Sequence, residues 1–253
     1  MAEPGSRSIG RQPAFIVVLA AVFFGAIDLT VVATILPRMI GDLGINSADI
    51  DRYIWVVNAY LIAYIVSIPL FGRLSDFLGA RNVYIAALAI FAAGSWWCAT
   101  SDSLQHLIVA RAIQGFGGGA LLPIGLAAAV SMFESDARHR AIGAVGAADT
   151  FGWVSGPAYG AIVVSWLSGM NEPWRVVFWI NIPLAVVLAV LAWNELGKLE
   201  RTRQLSTRPL LSTIHRIDPV GFVLLALVLL ALNLGLASGG EIGATAGRGL
   251  RAF

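Results

Sequence analysis

Three charged side chains sit well inside long apolar stretches of this sequence: Asp28, Arg111 and Asp149. A guanidinium stays charged at any biological pH. Holding one within hydrocarbon costs from ~3 to more than ~10 kcal/mol, so it needs a partner, a wet cavity or both. A carboxylate in the same layer neutralises it. A carboxylate that alternates between paired and unpaired, dry and wet, can also take up and release a proton. Arg111 opens Arg111-Ala112-Ile113-Gln114-Gly115, followed by Phe116-Gly117-Gly118-Gly119. Those glycines remove side chains and let neighbouring helices approach closely. The plainer alternative is a structural arginine snorkelling to a nearby interface.

The elements that position these groups follow from composition. The chain has 253 residues, 58% of them hydrophobic, and only 13% are charged, against about 45–50% and 25% in soluble domains. Mean hydropathy is +0.78. This describes an all-α polytopic membrane protein. A net charge of +2, with no clustered basic patch, argues against nucleic acid as a partner. The single cysteine, Cys98, forms no internal disulfide and lacks metal-ligand spacing, so it reads as a packing residue.

Apolar runs of spanning length fall at about 14–36, 53–71, 82–101, 104–132, 141–166, 176–194 and 219–238, giving seven candidate spans. The first is too long for a signal-peptide core and contains Asp28. Asp218-Pro219 opens the seventh with a capping side chain and a proline at the first helical position. Eleven arginines and lysines lie in the N-terminal tail and alternate loops, with three in the others. The positive-inside rule then puts the N-terminus in the cytoplasm. A rise of ~1.5 Å per residue puts Asp28 about 21 Å in from that side and Arg111 about 10 Å below the opposite face. In a core ~30 Å thick these levels nearly coincide. Asp149, about 12 Å up, is a second acid near the midplane. Trp96, Trp97, Trp166, Trp174, Trp193 and Tyr53 lie near span ends and read as interfacial anchors.

Several motifs occur in a consistent order. They are Asp28-Leu29-Thr30-Val31-Val32 with Leu36-Pro37, Gly72-Arg73-Leu74-Ser75-Asp76-Phe77-Leu78-Gly79-Ala80-Arg81, and Arg111-x-x-Gln114-Gly115. There follow Gly152-x-x-x-Gly156-Pro157-x-x-Gly160, Trp174-Arg175-x-x-Phe178-x-Ile180-Asn181-x-Pro183, and Asp218-Pro219 through Gly239-Gly240-Glu241. Over about residues 27–241 the chain therefore resembles the N-terminal part of a major facilitator superfamily transporter. It is most similar to the fourteen-span drug:proton antiporters and to actinobacterial drug and lipid exporters. Two departures stand out. Phe77 and Ala80 occupy loop positions that are usually basic in the family, and Ala161 replaces the last glycine of the fifth-span motif.

The resemblance implies a six-helix N-terminal bundle of two three-helix repeats plus a peripheral seventh helix. It implies proton-coupled export of a small hydrophobic substrate, a drug or lipid, across the cell membrane, with the proton as coupling ion and no cofactor. In that frame Asp28, Arg111 and Asp149 are the proton-coupling candidates. Gly72, Asp76, Gly79 and Arg81 would form a gating loop, with Asp76 in a tight turn before the third span. Gly152, Gly156, Pro157 and Gly160 would make a seam along which the fifth span slides: the glycines form one smooth stripe and the proline loosens the helix. Asn58, Tyr60, Tyr64 and Gln114 would line the substrate cavity.

The expected organisation is a cytoplasmic tail (1–13), the bundle (14–194), a cytoplasmic linker (195–217), the seventh span (218–240) and an outer tail (241–253). A transporter of this kind needs two pseudo-symmetric halves. The present sequence holds one half plus a helix, so a truncated fragment, or a half needing a partner chain, is the alternative expectation. A seven-helix receptor fits the span count but not the charge asymmetry. An intramembrane enzyme is disfavoured because His106, His139 and His215 lie in or beside loops, away from any nucleophile or metal cluster.

Overall fold

The computed structural model describes residues 11–43 and 50–202. Of the seventh run it describes only Gly221, Leu224, Leu227, Val228, Ala231, Leu232 and Gly235, which are helical and of which Leu224, Leu227, Val228 and Leu232 are exposed. The terminal tails, most of the linker and most of the seventh run lie outside the described residues. The helices are α1 (Arg11–Asp42), α2 (Ile50–Leu78), α3 (Ala80–Thr100), α4 (Leu104–Gly118), α5 (Leu121–Met132), α6 (Ser135–Trp166) and α7 (Arg175–Thr202). No strand occurs among the described residues. Helices are what a chain needs where no water can satisfy its backbone.

The fourth run, expected as one span, is two helices that together make one pass. Pro123 has no N–H to offer the carbonyl of Gly119, and three glycines precede the break. The last α-type bond before it is Gly119 N–H to Gly115 O (2.9 Å), and the chain then tightens to a three-residue bond, Ala120 N–H to Gly117 O (3.3 Å). Ser103 caps α4, its hydroxyl accepting from His106 N–H at 3.3 Å. The turn between the second and third spans is also smaller than expected. α2 runs through Asp76 to Leu78, and only Gly79, at φ 83°, departs from helix. Asp76 therefore belongs to the end of α2 and not to a loop. Its side chain lies outside the described ones. α7 runs on to Thr202, past the expected end near 194.

Among the described residues, five helical passes are long and apolar enough to cross a membrane: 12–42, 53–75, 80–100, 104–132 and 175–197. α6 is 32 residues long but falls short in apolarity, because its middle is given to glycine, serine, Asp149 and Pro157. The principal pairings are α1 with α6, α3 with α7, α2 with α4, and α3 with α4. In terms of passes, first-with-fifth and second-with-fourth are images of each other if passes one to three map onto four to six, and third-with-sixth maps onto itself. This is the pairing that two three-helix repeats require.

Among the described residues, the two largest apolar clusters fill most of the bundle. One gathers Val18, Phe24, Tyr84, Phe91, Leu121 and Leu188; the other gathers Val31, Ile35, Cys98, Leu107, Trp174 and Phe178. On four helices in turn, the buried polar residues fall between members of the two clusters. Asp28 lies between Phe24 and Val31, Ser95 between Phe91 and Cys98, Arg111 and Gln114 between Leu107 and Leu121, and Asn181 between Phe178 and Ala185. The result is a polar layer between two dry ones.

Candidate functional site

The layer is built around Asp28, which is 1% exposed, and Arg111, at 0%. Arg111 Nη1 donates to Asp28 Oδ2 at 2.9 Å. Gln114 Nε2 donates to Asp28 Oδ1 at 3.0 Å, and Asn181 Nδ2 donates to the same oxygen at 2.6 Å. One carboxylate from α1 thus collects donors from α4 and α7. Arg111 and Gln114 stand three residues apart on α4, the spacing that puts two side chains on one face. They also bond each other, Arg111 Nη1 donating to Gln114 Oε1. α3 closes the layer: Gln114 Nε2 donates to Ser95 Oγ at 2.8 Å, and Cys98 Sγ donates to Gln114 Oε1 at 3.5 Å.

From α2, the Tyr60 ring lies 4.0 Å from the Arg111 guanidinium carbon, close enough for a cation–π contact. Tyr64 stacks on Tyr60 at 6.0 Å. The close approach of α2 to α4 is made possible by Gly115, where any Cβ would run into the Tyr60 backbone. Burying an ion pair costs desolvation of both charges, which is recovered only with good geometry and further hydrogen bonds. The amide donors on Asp28 supply those bonds. On the other side of the pair, Arg111 Nε and Nη2 are buried and make no hydrogen bond among the described residues. Two donors on a desolvated cation are left for another acceptor, and such groups concentrate where function requires them.

The expected matching depth of Asp28 and Arg111 is met by direct contact. Gln114 and Tyr60 join them, with Tyr64 stacked behind. Asn58 is half-buried on α2 and takes no part in these hydrogen bonds. Asp149 stands apart on α6. It is partly buried, with Oδ1 sealed from solvent and unbonded among the described residues, and it takes no part in the hydrogen bonds around Asp28. Ser95 and Asn181 were not legible as site members. Asn181 was visible as an amide in a spanning run, but only the fold turns it toward Asp28. Cys98, read as simple packing, is also a weak donor to the layer.

The glycine stripe on α6 packs against α1, the helix that carries Asp28. A Cβ at Gly152 would meet Ala26 Cβ and Phe23 O at 2.6 Å, one at Gly156 would collide with Thr30 Oγ1, and one at Gly160 would meet Val31 at 2.9 Å. Thr30 Oγ1 donates across the seam to Trp153 O at 3.0 Å. In this conformation the stripe is a tight clamp. At the corner between α2 and α3, Arg73 is exposed, and Arg81 lies over the Trp193 ring of α7 at 3.8 Å.

The span-end aromatics divide. Trp96, Trp97, Trp166 and Trp193 are exposed, as interfacial anchors should be, whereas Trp174 and Tyr53 are buried at 0% and 1%. Trp174 packs edge-on to Phe178 at 6.2 Å, under the Arg175 guanidinium at 4.6 Å. Arg175 in turn ties Ala99 O (2.9 Å) and Glu172 (2.9 Å) together, which holds that end of α7 against α3.

A sequence profile of the Major Facilitator Superfamily matches residues 18–245. A triacylglyceride transporter of Mycolicibacterium smegmatis is 38% identical over 236 residues, 93% of this chain and 39% of that protein. The triacylglyceride transporter of Mycobacterium tuberculosis strain H37Rv is 38% identical over 230 residues, 90% and 42% of the two. The chain spans about two fifths of the length of these relatives. Among solved structures, the proton:xylose symporter XylE superposes with a TM-score of 0.66 at 17% identity, covering 93% of this chain and 56% of its own. The human organic anion transporter MFSD10 superposes at 0.54 with 21% identity, over 79% and 49%. Both likenesses speak to fold alone. With a family profile spanning nearly the whole chain, relatives well above 30% identity and a shared helical bundle, the chain is a multi-pass membrane protein that belongs to the Major Facilitator Superfamily.

Proposed function

We propose that this chain supplies the N-terminal bundle of a proton-coupled secondary transporter that exports hydrophobic, lipid-like molecules by alternating access, with Asp28 as the proton carrier. The supporting observation is the buried ion pair of Asp28 and Arg111, held by Gln114 and Asn181, in a chain whose relatives are named triacylglyceride transporters. Ionised Asp28 links α1 to α4 and α7. Protonated, it no longer balances Arg111, and the link between these helices weakens. A two-state bundle whose balance depends on one proton is what coupling requires. When the pair opens, the spare Arg111 donors can take an oxygen of the substrate or water. Asn58, Tyr60 and Tyr64 on α2 suit an aromatic-lined wall for an apolar cargo.

The α1–α6 glycine clamp is the part proposed to change between states, since sub-ångström packing of this kind is bistable rather than elastic. Gly72, Asp76, Gly79 and Arg81 serve as the gate, Asp149 as a second protonatable group, and the N-terminus lies in the cytoplasm of the cell membrane. In a transporter of the relatives' full length the cargo path runs between this bundle and a second one.

Asp28→Asn in such a full-length transporter, reconstituted in vesicles, tests this. Proton-driven movement of a fluorescent lipid or hydrophobic dye should be lost while its binding persists. Undiminished, pH-dependent transport by the variant would overturn the assignment.

A further inference from the structure

We propose that the flank between α3 and α7 holds an anionic phospholipid, with an acyl chain in the interhelical groove and the headgroup on Arg81. The groove has a volume of about 320 Å³, and its lining includes Ile85, Leu88 and Ala89 from α3 and Ala189, Val190 and Trp193 from α7. Ala89 and Ala189 make it hollow where larger side chains would fill it. It runs for about 12 Å along α7, from Ala185 to Trp193. Val190 and Trp193 are 54% and 55% exposed, so the hollow opens outward.

Arg81 continues the same face of α3 one turn before Ile85, at the helix end where the membrane surface lies. Its guanidinium stacks on Trp193 at 3.8 Å and passes over Gly197, where a Cβ would come within 3.0 Å of it. Among the described residues its Nε is sealed and without an acceptor, and no acidic side chain pairs with it. An apolar slot ending in an aromatic-backed guanidinium, unpaired among the described residues, is complementary to an acyl chain ending in a net-negative phosphate. A basic pocket between spanning helices at a headgroup level is a recurrent form of lipid recognition, and the planar fork suits phosphate geometry. A zwitterionic headgroup is a poorer match, because its own cation competes for the phosphate. This site is separate from the Asp28 cluster, although its Arg81 is also assigned to the proposed gate.

The test uses the purified chain in detergent with dioleoyl phosphatidylglycerol or dioleoyl phosphatidylcholine, read by native mass spectrometry and thermal unfolding. The wild-type chain should retain phosphatidylglycerol with a preference of about fivefold or more, the worth of one well-placed arginine at a charged surface, and its midpoint should rise with that lipid. Arg81→Gln should abolish the preference. Ala89→Phe, made at an exposed position, should block retention of both lipids without lowering the lipid-free midpoint, and it keeps the test open should Arg81→Gln fail to fold. Equal retention of the two lipids by wild type, a preference surviving in Arg81→Gln, or undiminished binding to Ala89→Phe would each overturn the proposal.

Discussion

Asp28 Oδ2 and Arg111 Nη1 lie 2.9 Å apart in a layer from which solvent is excluded, although 83 residues separate them in the chain. Breaking a buried pair by removing one partner typically costs ~3–5 kcal/mol. Arg111→Ala should therefore sharply reduce the folded, monodisperse fraction recovered from membranes. Arg111→Lys keeps the charge but loses the planar fork and its stack on Tyr60, and should give an intermediate yield. Size-exclusion profiles of the two variants side by side check the order.

Asn181 is expected to matter as much as its short contact implies. A hydrogen bond to a charged group is worth about 1.5–3 kcal/mol. Asn181→Ala should lower stability by that order. Asn181→Asp, which sets a second carboxyl against Asp28, should be worse at neutral pH and partly recover as acid protonates the pair. Thermal unfolding of both variants across pH measures the contrast.

The α1–α6 clamp separates glycines that matter from those that do not. Gly156→Ala collides with Thr30, and overpacking of this kind costs about 1–3 kcal/mol. Gly143 and Gly146, on the same helix, have open space where a Cβ would stand. Alanine there should be neutral or stabilising by up to ~1 kcal/mol through helix propensity. Unfolding midpoints of the three variants decide the matter.

Trp174 and Trp166 predict opposite outcomes for the same substitution. Trp174 is fully buried and Trp166 is 85% exposed. Trp174→Ala should cost about 3–5 kcal/mol, whereas Trp166→Ala should stay within about 0.5 kcal/mol in detergent.

Cys98 should resist maleimide in the folded chain, because its thiol is buried against Gln114, out of the reagent's reach. Labelling should appear only as the protein unfolds, which a mass shift followed against denaturant would record. Full labelling of the native chain would contradict the packing of α3 on α4.

How much of this was legible beforehand depends on the kind of force involved. Spanning runs are set by the one-dimensional cost of polar groups in lipid. The sequence by itself therefore determined that the chain is helical and multi-pass, that Asp28, Arg111 and Asp149 are its costly residues, and that the first two share a depth. Turn chemistry was less legible. The sequence shows a tight turn before the third span and puts it at Asp76, but it does not show that α2 runs through Asp76 to a break at Gly79, or that Pro123 and the glycines before it divide the fourth pass. Direction around each helix axis was legible only where glycines mark a face, as at Gly152, Gly156 and Gly160, because in spans that are apolar on every side no hydrophobic stripe marks the inward face. Only the tertiary structure decided that Asn181 and Ser95 bond into the ion-pair layer. It also decided that Trp174 and Tyr53 turn inward where similar span-end aromatics turn out. That choice rests on close packing between helices, where one methyl group at Gly156 is already too many.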